Sequence, residues 1–250
     1  MGAERLDSRV AVVTGGGGGI GAAIAADLAE LGATVVIADR DLDAAQATAQ
    51  GIGARGRGQA LECDVTDRAA YAAALAEVER AHGSVDVLVN NAGGTPHADF
   101  LDLPVEQWDG IVELNFVAVL TACKAVLPGM VARGWGRVVS VASDAARIGM
   151  PKESIYSGAK AGALAFSKAL AAEVAHAGVT VNTVCPGSTA TPLLSSMYTP
   201  EQLERKGSRN PSGRLGAPRD VAEAVRFFVT GGSYVTGQVL SVNGGALRVG

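Results

Sequence analysis

Five consecutive glycines, Gly15 to Gly19, stand between a short β-branched run, Val10 to Thr14, and an Ala- and Leu-rich stretch, Ile20 to Leu31, whose apolar residues recur at helical spacing before Gly32 stops them. This reads as strand, tight turn and helix. Glycines in such a turn let the backbone bend sharply and approach a ligand closely, and the first N–H groups of the helix face any anion held there. A glycine run in isolation also describes a flexible loop; the strand before it and the helix after it favour the ligand-binding reading.

The unit repeats. Thr34 to Asp39 reads as strand, Leu42 to Gln50 as helix, Gln59 to Cys63 as strand, Arg68 to His82 as helix and Val85 to Asn90 as strand. Val105 to Arg133 follows as one long helix, Arg137 to Ala142 as strand, Ser154 to His176 as a second long helix and Val179 to Val184 as strand. After a polar stretch from Ser188 to Gly216 come a helix, Asp220 to Thr230, and a last strand, Gln238 to Val242. Short apolar strands alternating with helices specify an α/β fold: a single Rossmann-like, doubly wound parallel sheet of about seven strands with helices on both faces. No linker or internal repeat divides residues 1–250, which read as one domain. Gly51 to Gly58, with four glycines, reads as a mobile surface turn.

Composition narrows the partners. Hydrophobic residues make up 48% and charged ones 18%, enough to build a large core. A net charge of -4 without any Lys or Arg run points away from nucleic acid and anionic lipid. Cys63, Cys123 and Cys185 fit no metal-ligand spacing and read as free thiols of a reducing compartment, and no metal is expected. Met1 to Arg9 is polar, Leu6 stands where myristoylation needs Ser or Thr, and no apolar run approaches a bilayer's thickness. A soluble cytoplasmic chain with no membrane partner is expected.

The chemistry is read from the strand ends. Asp39 closes the second strand at the distance from the glycines expected of the acid that accepts hydrogen bonds from an adenosine ribose. Its charge would repel a 2′-phosphate, and Gly18 offers no basic side chain to hold one, so NAD is the expected cofactor. Arg40 is the element that could serve NADP instead. Tyr156 and Lys160 lie one helical turn apart on the same face. A phenol is a weak base at neutral pH, and an adjacent ammonium lowers its pKa, the role for which Lys160 is placed. Ser143, at the end of a strand, can hold a substrate oxygen for the proton transfer that accompanies hydride movement.

These motifs resemble those of the short-chain dehydrogenase/reductase family from Arg9 to Gly245: the Thr14 to Gly21 loop (Gly15, Gly18, Gly19, Ile20, Gly21), Asp64-Val65, Asn90-Asn91-Ala92-Gly93, Asn115, Ser143, the Tyr156/Lys160 pair and Pro186-Gly187 ahead of Thr189 and Thr191. The resemblance implies Asp64 and Val65 at the adenine, Asn115 holding a water in a proton relay through Lys160, and Pro186 to Thr191 at the nicotinamide carboxamide. It also implies a homotetramer packed through the two long helices. Glycine stands in the loop where reductive, NADPH-using members often carry Arg or Lys, which points away from fatty-acid synthesis.

Substrate choice should lie in Asp144 to Glu153 and in a loop at about 188–213, where Leu193, Leu194, Met197 and Tyr198 are either an apolar lid or helix-packing positions. Arg147 and Lys152 either address a carboxylate or coenzyme A phosphate or are solvated surface cations. Within the family, the five-glycine loop, Ser143-Asp144-Ala145-Ala146-Arg147, Cys185-Pro186-Gly187, Arg214-Leu215-Gly216 and Thr236 to Ser241 are similar to dehydrogenases of cyclic hydroxyacyl-CoA thioesters. The expected partner is thus a small secondary alcohol or ketone, with CoA-linked ones among the candidates. The alternatives are an NADPH-dependent 3-oxoacyl thioester reductase and a non-catalytic dinucleotide-sensing regulator.

Overall fold

Alternate residues along each central strand face opposite sides of the sheet, and both sides are apolar. The computed structural model describes residues 5–53 and 56–248; the readings made on residues 1–4, and the middle of the expected glycine-rich turn at 54–55, lie outside the described residues. Among the described residues the chain runs β1 (Val10–Thr14), α1 (Gly19–Glu30), β2 (Thr34–Asp39), α2 (Leu42–Ile52), β3 (Arg57–Glu62), α3 (Arg68–His82) and β4 (Val87–Asn90). It continues through α4 (Trp108–Val112), α5 (Ala118–Arg133), β5 (Gly136–Val141), α6 (Ala145–Ile148), α7 (Ser154–Val174), β6 (Val179–Pro186), α8 (Pro192–Met197), α9 (Pro200–Ser208), α10 (Pro218–Thr230) and β7 (Val239–Val242).

All seven strands are parallel, in the order β3-β2-β1-β4-β5-β6-β7. The chain winds outward from β1 in one direction and from β4 in the other, so the winding reverses between these two strands and opens a crevice at their carboxyl ends. Val12, Val36, Leu88, Val138 and Val181 pack on one side with α3, α5 and α7. Val13, Val35, Ile37, Val87, Val89 and Val139 pack on the other with α1, α2 and α10. Burying each such side chain contributes about 1.5–3 kcal/mol, and this two-sided burial is what the continuous apolar strands require.

Local chemistry sets the helix ends. Asp41 and Asp67 accept the N–H groups of Ala44 and Ala70, each at 3.0 Å, and so cap α2 and α3. Gly83 and Gly134 end α3 and α5 in the left-handed conformation.

Four expectations are corrected. The glycine-rich turn is shorter than Gly51 to Gly58, because α2 runs on to Ile52 and Gly58 pairs with Val35 in the sheet. Ladder hydrogen bonds outweigh glycine's preference for turns. The long helix from Val105 is not uniform: it opens as a 3-10 turn, Val105–Gln107, and widens to a π turn at Glu113–Val117 before α5 begins. By length and composition 105–133 is also apolar enough to cross a membrane, against expectation; here Val119, Ala122, Cys123, Val126 and Met130 are buried in the core beside the sheet. The polar stretch from Ser188 contains two helices, α8 and α9.

At the sheet edge opposite the crevice, the buried carboxylate of Asp86 accepts the Val10 N–H at 2.9 Å, the Ser84 hydroxyl at 2.8 Å and Arg9 Nη1 at 3.2 Å. It joins the start of β1 to the start of β4. Replacing Asp86 by Ala strands a buried N–H and is expected to cost about 2–3 kcal/mol, read as a lower urea midpoint; an unchanged midpoint would refute this anchoring role.

Candidate active site

The crevice is organised by one hydroxyl. Thr14 ends β1, and its Oγ1 accepts the N–H groups of Asn91 and Ala92, both at 3.0 Å, fixing the turn after β4 against the turn after β1. Asn91 donates from Nδ2 to the carbonyls of Thr14 (2.9 Å) and Gly15 (3.1 Å). At Gly21 a β-carbon would fall 2.1 Å from the Gly15 carbonyl oxygen, so only glycine lets α1 start this close to the loop. No side chain caps α1 at Gly18. Its amino end is left to a ligand, a cradle that fits a pyrophosphate. Ile20 packs against the core and contributes backbone to this cradle.

Asp39 sits where expected but is already engaged: Oδ2 accepts the Gly17 N–H at 2.9 Å and Oδ1 that of Asp41 at 3.1 Å. The acid therefore braces the glycine loop, with lone pairs remaining for a ribose. Nothing lies within 4 Å of where a Gly18 β-carbon would stand, so the loop has room for a phosphate-binding cation and lacks one. Asp64 Oδ1 accepts both the N–H (2.9 Å) and the hydroxyl (2.7 Å) of Thr66; these bonds, with Arg40 nearby, hold its carboxyl below the usual range. Val65 turns its side chain into the core. Arg40 thus faces an acid, which weakens its case as a phosphate ligand.

The π turn carries Asn115, which is fully buried. Its Nδ2 donates to the carbonyls of Gly94 (2.8 Å) and Ile111 (2.9 Å), and its Oδ1 accepts the Gly94 N–H at 3.1 Å. A β-carbon at Gly93 would come 2.8 Å from Lys160 Nζ and 2.9 Å from Asn115 Oδ1, so these groups converge on that glycine. Lys160 is buried, donates to the Val141 carbonyl at 3.0 Å, and stands 5.9 Å from the centre of the Tyr156 ring. Ser143, just beyond β5, accepts the Ala145 N–H on Oγ at 3.1 Å and lies close enough to the Tyr156 phenol to lower its pKa. The four residues expected at the site are brought together.

Their electrostatics differ from expectation. Burial pushes the Tyr156 phenol up to about 12, opposed by the Ser143 hydrogen bond, and Lys160 is not what sets it. Burial likewise brings Lys160 down to about 8. Desolvation disfavours the charged form of each partner, and across nearly 6 Å the ammonium does not outweigh it.

Pro186 ends β6 on the far side of the crevice, where Gly187 donates to the Val242 carbonyl at 3.0 Å. Thr189 bonds back to the Gly187 carbonyl at 3.1 Å, and Thr191 caps α8 by accepting the Leu194 N–H at 3.2 Å. Of the suggested substrate cations, Arg147 donates to Ser241 Oγ at 3.0 Å, and Lys152, whose backbone is left-handed (φ 67°), lies 3.6 Å from Asp99. Ile148, Met150, Leu193 and Met197 are exposed apolar side chains of the two segments expected to choose the substrate. Sequence reasoning missed α6, α8 and α9, although Thr199-Pro200-Glu201-Gln202 is a capping box with Pro at the first helical position. An open cleft of about 570 Å³ beside the 64–66 turn, lined by Thr66, Arg68, Asp109 and Glu113 among others, includes none of the four converging residues.

Residues 15–246 match the family described as enoyl-(acyl carrier protein) reductase. The chain is 41% identical over 245 residues to a 3-oxoacyl-[acyl-carrier-protein] reductase FabG of Vibrio cholerae, and 38% to that of Escherichia coli K12, each match covering 98% of this chain and 99% of the relative. It is 36% identical over 253 residues to 2-(S)-hydroxypropyl-CoM dehydrogenase 3 of Xanthobacter autotrophicus, with the same coverage.

The Lys160 shift has a sign that can be checked. With a folded pKa near 8 against an ordinary 10.5, the folded chain sheds between those values a proton that the unfolded chain keeps. The cost of the buried ammonium is therefore full below about 8 and is lifted as pH rises toward 10.5. Stability of the wild type relative to Lys160→Met is expected to increase from pH 8 to pH 10 in paired urea titrations; thiol and phenol ionisations cancel in the difference. A flat difference would contradict a desolvated amine.

Proposed function

Because this chain belongs to the short-chain dehydrogenase/reductase family, we propose that it moves a hydride between NAD(H) and the ketone or secondary alcohol of a chain carried on a thiol, in the sense of a 3-oxoacyl thioester reductase. The observation that carries this reading is the convergence of Ser143, Tyr156, Lys160 and Asn115 beside the glycine loop. The acyl-thioester substrate is supported by the relatives named as 3-oxoacyl-[acyl-carrier-protein] reductases, and the secondary alcohol by the one named as a 2-(S)-hydroxypropyl-CoM dehydrogenase. They favour open-chain, thiol-linked substrates over the cyclic ones that the segment resemblance suggested.

The dinucleotide supplies the hydride or takes it. Gly15 to Gly21 and the amino end of α1 would hold its pyrophosphate, Asp39 a ribose, Asp64 and Val65 the adenine, and Asn91 to Gly93, Pro186, Gly187, Thr189 and Thr191 the remainder. In the reducing direction Ser143 Oγ holds the ketone oxygen, and the Tyr156 phenol gives that oxygen its proton as the carbonyl carbon accepts the hydride. A phenol with a pKa near 12 is fully protonated at neutral pH and therefore ready as an acid. The phenolate left behind is stabilised by the Ser143 hydroxyl, and Lys160, charged below about 8 and 5.9 Å from the ring centre, is the nearby group that can return a proton. Asn115, held at three points by backbone, keeps the Lys160 side of the site in place for reprotonation. Oxidation of the alcohol runs through the same groups in reverse.

NAD(H) is favoured because Asp39 places a negative charge at the end of β2 and Gly18 offers no cation against it. Three buried free thiols support a reducing compartment such as the cytoplasm, and a homotetramer formed through 105–133 and 154–174 belongs to the same reading.

Fluorescence titration is expected to give at least tenfold tighter binding of NADH than of NADPH, a difference of about 1.4 kcal/mol; the reverse order would overturn the cofactor assignment. Tyr156→Phe is expected to keep NADH affinity and lose on the order of a hundredfold or more in turnover with acetoacetyl-CoA, followed by NADH absorbance. Wild-type turnover in that variant would remove Tyr156 from the reaction. A wild-type protein inert toward 3-oxoacyl thioesters and toward a panel of open-chain and cyclic secondary alcohols would favour the regulator.

A further inference from the structure

Two stretches to which the reaction assigns no role meet at the carboxyl edge of the sheet. Asp144, next to Ser143, accepts the Ser241 hydroxyl on Oδ1 at 2.8 Å and Asn243 Nδ2 on Oδ2 at 2.7 Å, from partners 97 and 99 residues away. Arg147 Nη1 donates to the same Ser241 hydroxyl at 3.0 Å, so that hydroxyl passes its own proton to Asp144 while accepting from the guanidinium. The backbone of the same turn is tied to the neighbouring strand: Asp144 N–H donates to the Pro186 carbonyl at 3.1 Å and Gly187 N–H to the Val242 carbonyl at 3.0 Å. A β-carbon on Gly187 would lie 2.7 Å from Asn243 Cβ and 3.6 Å from Asp144 Oδ2, which shows how tightly the three turns are nested.

We infer that Asp144 is a positioning residue whose carboxylate clasps the end of β7 to the turn after β5, fixing Ser143 and the Pro186-Gly187 turn relative to each other. The inference rests on the reading of Ser143 as the group that holds the substrate oxygen. Its physical basis is that a carboxylate accepts on both oxygens at once, one per donor, whereas an amide presents N–H groups on one side and would face Ser241 or Asn243 with a donor. The charge of this carboxylate helps raise the neighbouring Cys185 thiol, and Arg147, at the far side of Ser241, acts on that thiol in the opposite direction. The arrangement supplies geometry, and a displacement of about 1 Å at such a turn can cost on the order of a hundredfold in rate. Arg147 in consequence acts on the clasp.

The test compares Asp144→Asn, Ser241→Ala, their double variant and Ser143→Ala with the wild type. Without substrate, amide hydrogen exchange of segments 141–148 and 185–189 is expected to quicken about tenfold or more in Asp144→Asn, while 10–14 stays unchanged. With acetoacetyl-CoA and NADH, kcat is expected to fall about tenfold or more, with KM and NADH affinity held within about threefold. The double variant should be no worse than Asp144→Asn alone, because both changes break one network. Unchanged exchange in both segments overturns the clasp, as does additive loss in the double variant. So does a kcat plateau that is kept while its alkaline limb moves to lower pH, since that is the effect of removing the charge alone. Turnover lost in Ser143→Ala but kept in Asp144→Asn overturns the clasp and leaves the site reading intact; turnover kept in Ser143→Ala overturns the site reading itself.

Discussion

Parallel strands deliver all their carboxyl ends to one edge, and in this chain that edge is where every group of chemical interest lies. Thr14, Asp39, Asn90 and Pro186 are the last residues of their strands, and Ser143 stands two residues beyond another. The backbone groups of these ends have lost their partners in the ladder and need others. Thr14 supplies them for Asn91 and Ala92, Asp39 for Gly17 and Asp41, and Pro186 for Asp144. The bonds that close off the sheet are thus the same bonds that shape the crevice, and the fold's stability and the site's geometry share atoms.

Desolvation sets the character of the Tyr156/Lys160 pair. Surrounded by protein, Tyr156 and Lys160 are each biased toward the neutral form, the phenol upward and the amine downward. Burial thereby drives their proton affinities apart, from ordinary values of 10.0 and 10.5 to about 12 for the phenol and about 8 for the amine, so the proton rests firmly on the phenol at neutral pH. Ser143 and Glu153 already act on the phenol in opposite directions.

What the sequence made legible follows from what is local. Strands β1 and β2 and helix α3 have the expected bounds because a β-branched run, a capping Asp67 and a terminal Gly83 are read within a few residues. The Tyr156/Lys160 spacing and the glycine loop were legible for the same reason. The phenol's pKa was not, since it depends on burial by residues from several elements. Asp39 was expected to face a ribose alone, and its bond to Gly17, 22 residues earlier, appears only in three dimensions. Helix α9 announced itself in its capping box and was overlooked under a polar composition. The segments matched to cyclic-thioester enzymes pointed to a real structural unit, the contact of Asp144 with Ser241, but not to a substrate.

The widened turn at Glu113–Val117 has a consequence for how this region can change. A widened turn holds one residue more than a regular one, and one residue advances a regular helix by about 100°, so straightening this turn at unchanged chain length would rotate all of α5 relative to α4. Val119, Ala122, Cys123, Val126 and Met130 would then swing away from the sheet. The irregular turn that seats Asn115 is therefore locked by the helix that follows it: only the loss of a single residue within the turn could restore α geometry and leave the apolar stripe on the same face.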